Sequence, residues 1–274
     1  MQRKNDKGIV RFVLIAISVA FLFVMLILPL LYVLYVAFRE GVSHFMNSIT
    51  TEYAIKSVLL TLKATVIAVV VNSIFGIFAA LTITKYNFRG KKILSALIDL
   101  PLTISPVIAG LIYILTFGRQ SILYPVIQKL KVDIIFGVPG IILATVFVTF
   151  PFISRELIPV LTHQGKDEEE AAALMGAGTF TIFKEITFPH IKWSYLYGVV
   201  LCSARALGEF GAVSVISGHL QGLTNTMTLY IELLYQGYDF TGAFAMSSVL
   251  VVIAILILII KNVVRKEEKI CLKF

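Results

Sequence analysis

Charged side chains are scarce in this chain. Only 15% of its 274 residues are Asp, Glu, Lys or Arg, whereas soluble domains carry about 25%. Hydrophobic residues make up 58% of the sequence, and apolar runs of about 18 residues or more predict membrane-spanning helices. A soluble globular domain is therefore excluded. The sequence predicts an all-α protein that crosses a membrane several times.

Cysteine and histidine are also sparse, with two and four residues respectively. Cys202 lies within an apolar run and Cys271 lies near the end of the chain, so they do not form the framework of a disulfide-rich fold. The histidines show no spacing typical of metal ligands. We therefore predict no metal site, no bound cofactor and no catalytic residue in this chain.

A phosphate-binding loop of the G-x-x-x-x-G-K-[ST] type is missing as well. The pair Gly165-Lys166 is the nearest approach to it in a polar segment. Asp167 follows where Ser or Thr is required, and no glycine stands five residues before Gly165. This pair is interpreted as a turn and a surface charge, so the chain is not expected to hydrolyse ATP by itself.

The basic residues flank the apolar runs instead of forming one patch, so the net charge of +8 is interpreted as a topology signal. Six spans and both termini in the cytosol place 17 Lys and Arg residues on inner segments and 4 on outer segments. This distribution satisfies the positive-inside rule. The predicted spans are 12–38, 54–84, 93–117, 136–158, 191–216 and 241–262.

Several features inside and between the spans lead to further expectations. Pro101 and Pro106 predict that the third span is kinked and packed inside the helix bundle. Asn72 is expected to form an interhelical hydrogen bond. Asp99 precedes Leu100-Pro101 and either caps an unwound segment or lies close to the polar loop between the fourth and fifth spans. The outer loops are predicted at 39–53, 118–135, with a partly amphipathic piece, and 217–240.

The longest polar interruption of the apolar sequence lies between the fourth and fifth spans, at about 159–190. The acids of Asp167–Glu170 suit the positive end of a helix N-terminus and form a capping-box-like start. Gly176 and Gly178 are expected to break the segment, and Thr179 is expected to cap a second short helix. Pro189 suits the first turn of the next long helix.

This interruption resembles the EAA loop in the permease subunits of ATP-binding-cassette (ABC) importers. Phe188 stands where the family pattern usually has Leu. The resemblance implies a cytosolic coupling helix that docks into a separate ATPase subunit, which hydrolyses the ATP. The positions carrying this pattern are Glu170, Ala171, Ala172, Gly176, Ile186 and Pro189.

The stretch from Ala204 resembles the permeases of tetrahedral oxyanion importers, through the core A-R-x-x-G-E-F-G-A. Its continuation over 214–235 is most similar to the W-type permease of sulfate/thiosulfate importers, with molybdate/tungstate permeases as the alternative. Arg205 and Glu209 share a helix face. They either line an anion path or neutralise each other, and the pairing is favoured because a carboxylate would repel a dianion. Gly208 and Gly211 allow a close approach or a kink that suits a gate.

The resemblance implies a type I ABC importer permease fold in the cell (plasma or inner) membrane. It also implies a second, homologous permease subunit, two ATPase subunits and an extracytoplasmic anion-binding protein as partners. We interpret residues 1–53 as an N-terminal tail, first helix and outer loop. Residues 54–262 form the predicted transport core, and residues 263–274 form a basic cytosolic tail.

Two other classes of membrane protein are weighed against this interpretation. An intramembrane serine protease needs a Ser and a His placed together at depth. The Ser217-Gly218-His219 sequence lies at the outer end of a span and is interpreted as a turn. A secondary transporter needs no ATPase partner, and the coupling loop argues against it.

Overall fold

The computed structural model describes residues 2–130 and 133–271, and it describes side chains for residues 11–129 and 133–264. Within these ranges every regular element is helical, apart from one isolated bridge between Phe136 and Ser217. The prediction of an all-α chain is therefore confirmed.

The described residues contain fifteen α-helices and two five-residue π-helical turns. The helices are α1 (Gln2–Leu22), α2 (Leu28–Ala37), α3 (Val42–Thr50), α4 (Glu52–Lys85), α5 (Lys91–Thr103), α6 (Pro106–Phe117), α7 (Tyr124–Leu130), α8 (Val138–Thr149), α9 (Pro151–Gln164), α10 (Asp167–Leu174), α11 (Thr179–Ile182), α12 (Phe188–Leu207), α13 (Gly211–Ile216), α14 (Met227–Gln236) and α15 (Phe240–Cys271). The π turns, Phe23–Ile27 and Phe183–Thr187, join α1 to α2 and α11 to α12. Short helices α3, α7 and α14 occupy the three predicted outer loops.

Four helical stretches among the described residues are long and apolar enough to cross a membrane. The pair α5 and α6 adds a fifth if it is counted as one span. The predicted span 191–216 is not one helix, because it is divided between α12 and α13. The stretch that corresponds to the fourth predicted span extends to Gln164, so it continues past the predicted loop boundary at 159. The four stretches are Arg11–Ala37, Glu52–Lys85, Val138–Gln164 and Phe240–Val264.

The chain divides into two compact units. One combines the chain up to Thr51 with Ile231–Val251. Inside this unit the Thr241 hydroxyl donates a hydrogen bond to Glu40 Oε1 at 2.7 Å. This bond joins the start of α15 to the turn that follows α2.

The other unit combines Glu52–Tyr230 with the chain from Val252 onward. In it, α4 packs against α5, α8, α9 and α12, and its buried side chains are mostly small and recur every three or four residues. Small residues let helix backbones approach closely. A Cβ at Gly76 would lie 3.2 Å from Ile153 Cβ, and one at Gly198 would lie 3.1 Å from Ile153 Cα. Helices α4, α9 and α12 therefore meet around Ile153.

The third predicted span is bent more strongly than a kink, with 110° between α5 and α6. The break falls between Thr103 and Pro106, where the two prolines predicted it. The expectation that this span is packed inside the bundle holds only in part. Helix α6 packs against α13 and α8, and α5 packs against α9 and α8, but many large apolar side chains on both helices are exposed. These are Ile93, Leu97, Leu100, Leu102, Val107, Ile108, Leu111, Ile112 and Leu115.

Each π turn is followed by one further residue and then by a proline. The Leu28 N–H donates to Phe23 O, and Pro29 follows; the Phe188 N–H donates to Phe183 O, and Pro189 follows. A proline in a regular helix lacks its N–H and clashes with the carbonyl four residues earlier. The wider π turn accommodates this residue while the helix continues. Pro189 lies in the first turn of α12, as predicted.

The predicted fifth span is interrupted after Leu207, and α13 begins at Gly211. At this break a Cβ on Gly211 would lie 3.0 Å from Pro106 Cβ, at the start of α6. A Cβ on Gly110 would lie 2.7 Å from the carbonyl oxygen of Ala212. The start of α13 therefore packs with almost no intervening side chain against α6, and the two interrupted segments lie side by side.

Candidate functional site

The polar segment between α9 and α12 folds as α10, a tight turn and α11. Gly176 follows the end of α10 with φ of +89°. Its N–H donates to Ala173 O at 3.0 Å, and the Ala177 N–H donates to Ala172 O at 3.0 Å. This pair of bonds is the Schellman motif, which satisfies carbonyls at a helix C-terminus and favours glycine in the left-handed conformation. Gly176 is therefore required for its backbone conformation, since no atom lies within 4 Å of a Cβ placed there.

The predicted capping details of this segment are partly wrong. The N-cap of α10 is Lys166, and no side chain caps that end, so Asp167 and Glu170 do not form a capping box. Gly178 is the N-cap of α11, and Thr179 is its first residue and caps nothing. The four acids do lie in the first turn of α10, where the helix dipole favours negative charge.

One side of the α10–α11 turn is apolar and unprotected. Leu174, Met175 and Phe180 are 90%, 83% and 77% exposed. Glu170 is also exposed and makes no ion pair with any residue whose side chain the structure describes. Large apolar residues within an otherwise polar loop are the sequence signal that marks this exposed patch, and the EAA pattern does not include them.

The other side of α10 is attached to the helices beneath it. Glu169 Oε1 lies 2.8 Å from Lys85 Nζ at the end of α4. It also accepts a hydrogen bond of 2.7 Å from the hydroxyl of Thr187, the last residue of the π turn before α12. Lys85 Nζ donates a further bond, of 2.8 Å, to Gly165 O. Nothing in the local pattern distinguishes Glu169 from its acidic neighbours, so this cluster could not be predicted from the sequence.

The remaining motif positions lie in α10 and where α11 passes into α12. Ala171 is exposed and Ala172 is buried, while Ile186 is half-buried in the π turn. The ring of Phe188, which replaces the usual Leu, lies 6.1 Å from that of Phe183 and 6.2 Å from that of Tyr195. The aromatic substitution therefore packs this junction.

Arg205 and Glu209 form an ion pair at the end of α12, with 2.6 Å between Nη1 and Oε2. Glu209 Oε1 accepts the N–H of Ala212 at 2.8 Å, which places its carboxylate at the start of α13. The Thr228 hydroxyl donates to the Glu209 carbonyl oxygen at 2.8 Å. This geometry matches the interpretation of Arg205 and Glu209 as a neutralising pair.

The two glycines beside this pair differ in their surroundings. A Cβ added to Gly208, at the end of α12, would have only Ala204 O near it, at 3.8 Å, whereas Gly211 is pressed against Pro106. Both expectations for the glycines therefore apply, a helix break at Gly208 and a close approach at Gly211.

Asn72 is fully buried, and its Nδ2 donates to Val146 O at 3.2 Å and to Thr149 Oγ1 at 2.8 Å. The predicted interhelical hydrogen bond is confirmed, and it joins α4 to α8. Asp99 lies inside α5 and pairs with Arg155 Nε at 3.0 Å. It therefore does not cap an unwound segment.

Similarity to known proteins identifies the family of this chain. Residues 72–267 match the family described as "Binding-protein-dependent transport system inner membrane component". The chain belongs to this family. It is thus an inner-membrane permease component with several membrane passes, and ATP hydrolysis in such a transport system belongs to a partner ATPase.

Two relatives of the permease carry the description "Sulfate transport system permease protein CysW". The protein of Escherichia coli (strain K12) is 42% identical over 240 residues, which cover 88% of this chain and 82% of that protein. The protein of Synechococcus elongatus is 43% identical over 258 residues, which cover 94% of this chain and 90% of that protein.

A solved structure has the same fold as the permease. A chain in the crystal structure of a bacterial alginate ABC transporter, in complex with an alginate pentasaccharide-bound periplasmic protein, superimposes with a TM-score of 0.80. The match covers 98% of both chains at 18% sequence identity, so it shows the fold and nothing about the cargo.

Proposed function

We propose that the chain is the W-type permease of an ATP-driven importer for sulfate and thiosulfate. The similarity to two proteins described as sulfate transport system permeases, over 88% and 94% of this chain, carries the proposal. The resemblance of residues 204–240 to the sulfate branch supports the same cargo. The extracytoplasmic binding protein selects the anion, and the permease supplies a gated path.

ATP hydrolysis drives this path through the α10–α11 turn. In the proposal this turn docks into the ATPase, with Leu174, Met175 and Phe180 entering an apolar groove of that subunit. Their high exposure supports this role, because large apolar patches on a solvated surface mark interaction sites. The coupling residues are Glu170, Ala171, Ala172, Gly176, Ile186 and Pro189.

The gate lies at the break between α12 and α13. Gly208 and Gly211 bracket the break, and the ion pair of Arg205 and Glu209 holds its two sides together. The contact of Gly211 with Pro106 joins this break to the interrupted segment of α5 and α6. Movement of α12 therefore shifts both interrupted segments together.

The assembly proposed here has two permease subunits with type I architecture, two ATPase subunits and one anion-binding protein. The second permease is a related but distinct chain. This chain contributes six spans with both termini in the cytosol, and α12 with α13 counts as the fifth. The excess of Lys and Arg on the predicted inner segments supports that topology. The transport core is residues 54–262, preceded by 1–53 and followed by the tail 263–274.

Uptake of radiolabelled sulfate in cells that lack and then regain the gene tests the cargo. We expect sulfate uptake to disappear and return with the gene, while molybdate uptake does not change. Loss of molybdate uptake with sulfate uptake intact assigns the chain to molybdate or tungstate transport instead. A purified complex with two copies of this chain, active without a second permease, contradicts the heterodimer.

A further inference from the structure

The contacts of Glu169 join three helical segments that are distant in sequence. Lys85 is the last residue of α4, Glu169 lies in the first turn of α10, and Thr187 ends the π turn that leads into α12. Glu169 Oε1 contacts both partners, at 2.8 Å and 2.7 Å. We refer to Lys85, Glu169 and Thr187 as the Glu169 clamp.

The clamp is shielded from water. The side chains of Lys85 and Glu169 are 12% and 18% exposed, and Thr187 is buried. Both charges also lie at helix ends where the helix dipole favours them. Lys85 is at the C-terminus of α4, and Glu169 is at the N-terminus of α10. A shielded charge pair with a further hydrogen bond is screened little by salt and holds a defined geometry.

Two other ion pairs of the loop lack this shielding. His190 and Glu168 are 3.1 Å apart, and Lys184 and Glu185 are 3.4 Å apart, and about half or more of each of these side chains is exposed. Exposed pairs contribute little and exchange readily with water. Of the ion pairs described in this loop, the clamp is therefore the one able to transmit a displacement of α10.

We propose that Glu169 is a positioning residue that transmits movement of the docked α10 to α4 and α12 together. The proposal rests on the docking role of the α10–α11 turn stated above. Movement of α10 pulls on Lys85 and Thr187 through one carboxylate. The inner end of α4 and the base of α12, which carries Arg205 at its other end, then move as one unit. Without the clamp, ATP hydrolysis continues while the two spans follow α10 poorly.

Glu169→Gln tests this inference because it removes the charge and keeps the size and one acceptor oxygen. The complete complex, with both permeases, the ATPase and the binding protein, is reconstituted in proteoliposomes with sulfate. ATP hydrolysed and sulfate imported are then measured together. We expect the ATP consumed per sulfate to rise at least about fivefold, which corresponds to roughly 1 kcal/mol, while ATPase subunits co-purify in wild-type amounts.

Glu185→Gln is the matched control, since it makes the same change in an exposed pair of the same loop. Its ATP-to-sulfate ratio is expected to equal that of the wild type. Lys85→Gln removes the charge on the other side of the clamp, so it is expected to raise the ratio as Glu169→Gln does. The double variant is expected to raise it little further, because either single change already breaks the same contact. Two separate local roles predict that the two fold-increases multiply.

Three results overturn the proposal. The first is a wild-type ratio in both Glu169→Gln and Glu169→Ala. The second is a failure of Glu169→Gln to assemble, which makes Glu169 an assembly residue. The third is a double variant of Lys85→Gln and Glu169→Gln whose fold-increase equals the product of the two single fold-increases.

Other results contradict the proposed function and not the role of Glu169. Wild-type transport by Gly176→Leu and Glu170→Lys removes the docking role of the loop, whatever Glu169 does. A wild-type complex that imports molybdate and not sulfate changes the cargo, and the ratio is then measured with molybdate.

Discussion

The guanidinium of Arg205 lies 2.6 Å from the carboxylate of Glu209, yet the two side chains differ greatly in exposure, at 32% and 1%. Removing Arg205 therefore has a different consequence from removing the charge of Glu209. Loss of Arg205 leaves a buried carboxylate without its countercharge, whereas loss of the Glu209 charge leaves a guanidinium that is about one-third exposed. The buried acid depends on the arginine more than the arginine depends on the acid.

Arg205→Gln is accordingly expected to destabilise the permease by about 3–5 kcal/mol, the cost of an uncompensated buried charge. Glu209→Gln is expected to cost only about 1 kcal/mol, because the amide oxygen still accepts the Ala212 N–H and an ion pair with a partly exposed member contributes little. The yield and thermal unfolding of the purified complexes measure this difference. If Arg205→Gln assembles normally and only slows sulfate import, Arg205 lines the anion path instead.

Gly176→Ala is expected to weaken coupling through the backbone. A residue with a Cβ in the left-handed conformation costs about 1–2 kcal/mol, so the Schellman turn loosens and α11 loses its orientation. Gly178→Ala is the matched control, because Gly178 has φ of −71° and open space around a Cβ. Sulfate transport and ATPase co-purification are measured for both. Equal behaviour of the two variants would mean that the turn conformation at Gly176 does not matter.

Phe180→Ala is expected to weaken the attachment of the ATPase without affecting the folded permease. The ring is mostly exposed, so its removal leaves no cavity within this chain. Truncation of a buried aromatic anchor at an interface costs about 2 kcal/mol or more, so the dissociation constant of the ATPase is expected to rise roughly thirtyfold. Titration of purified ATPase onto the permease in detergent measures it. Thr181→Ala, at a neighbouring exposed position, is expected to bind normally.

Gly76→Ala is expected to separate α4 from α9. The added Cβ would meet Ile153 Cβ at 3.2 Å, and overpacking of a tight core costs about 1–3 kcal/mol. Ile153→Ala alone creates a cavity and is also expected to destabilise the protein. Ile153→Ala removes Cγ2, which would also lie 3.2 Å from the added Cβ, but keeps Ile153 Cβ. The double variant is therefore expected to recover part of the overpacking cost and to be less destabilised than the sum of the two single changes, as measured by thermal unfolding. Additive effects would show that these residues do not share a packing site.

The class of protein, most of the spans and the position of the polar loop between α9 and α12 follow from the sequence alone. These features depend on local properties. A long apolar run must satisfy its backbone as a helix in lipid, and a glycine such as Gly176 ends a helix wherever a left-handed residue is needed. The interruption between Pro101 and Pro106 was predictable for the same reason, since proline restricts its own backbone and that of its neighbour.

Which polar groups meet is a property of the tertiary structure. The attachment of Glu169, and not Glu170, to Lys85 depends on how α10 is rotated against helices distant in the sequence. The pairing of Asp99 with Arg155 likewise follows from packing between helices. Side-chain partners across helices are set by rotation and close approach of whole elements, and no local propensity encodes either.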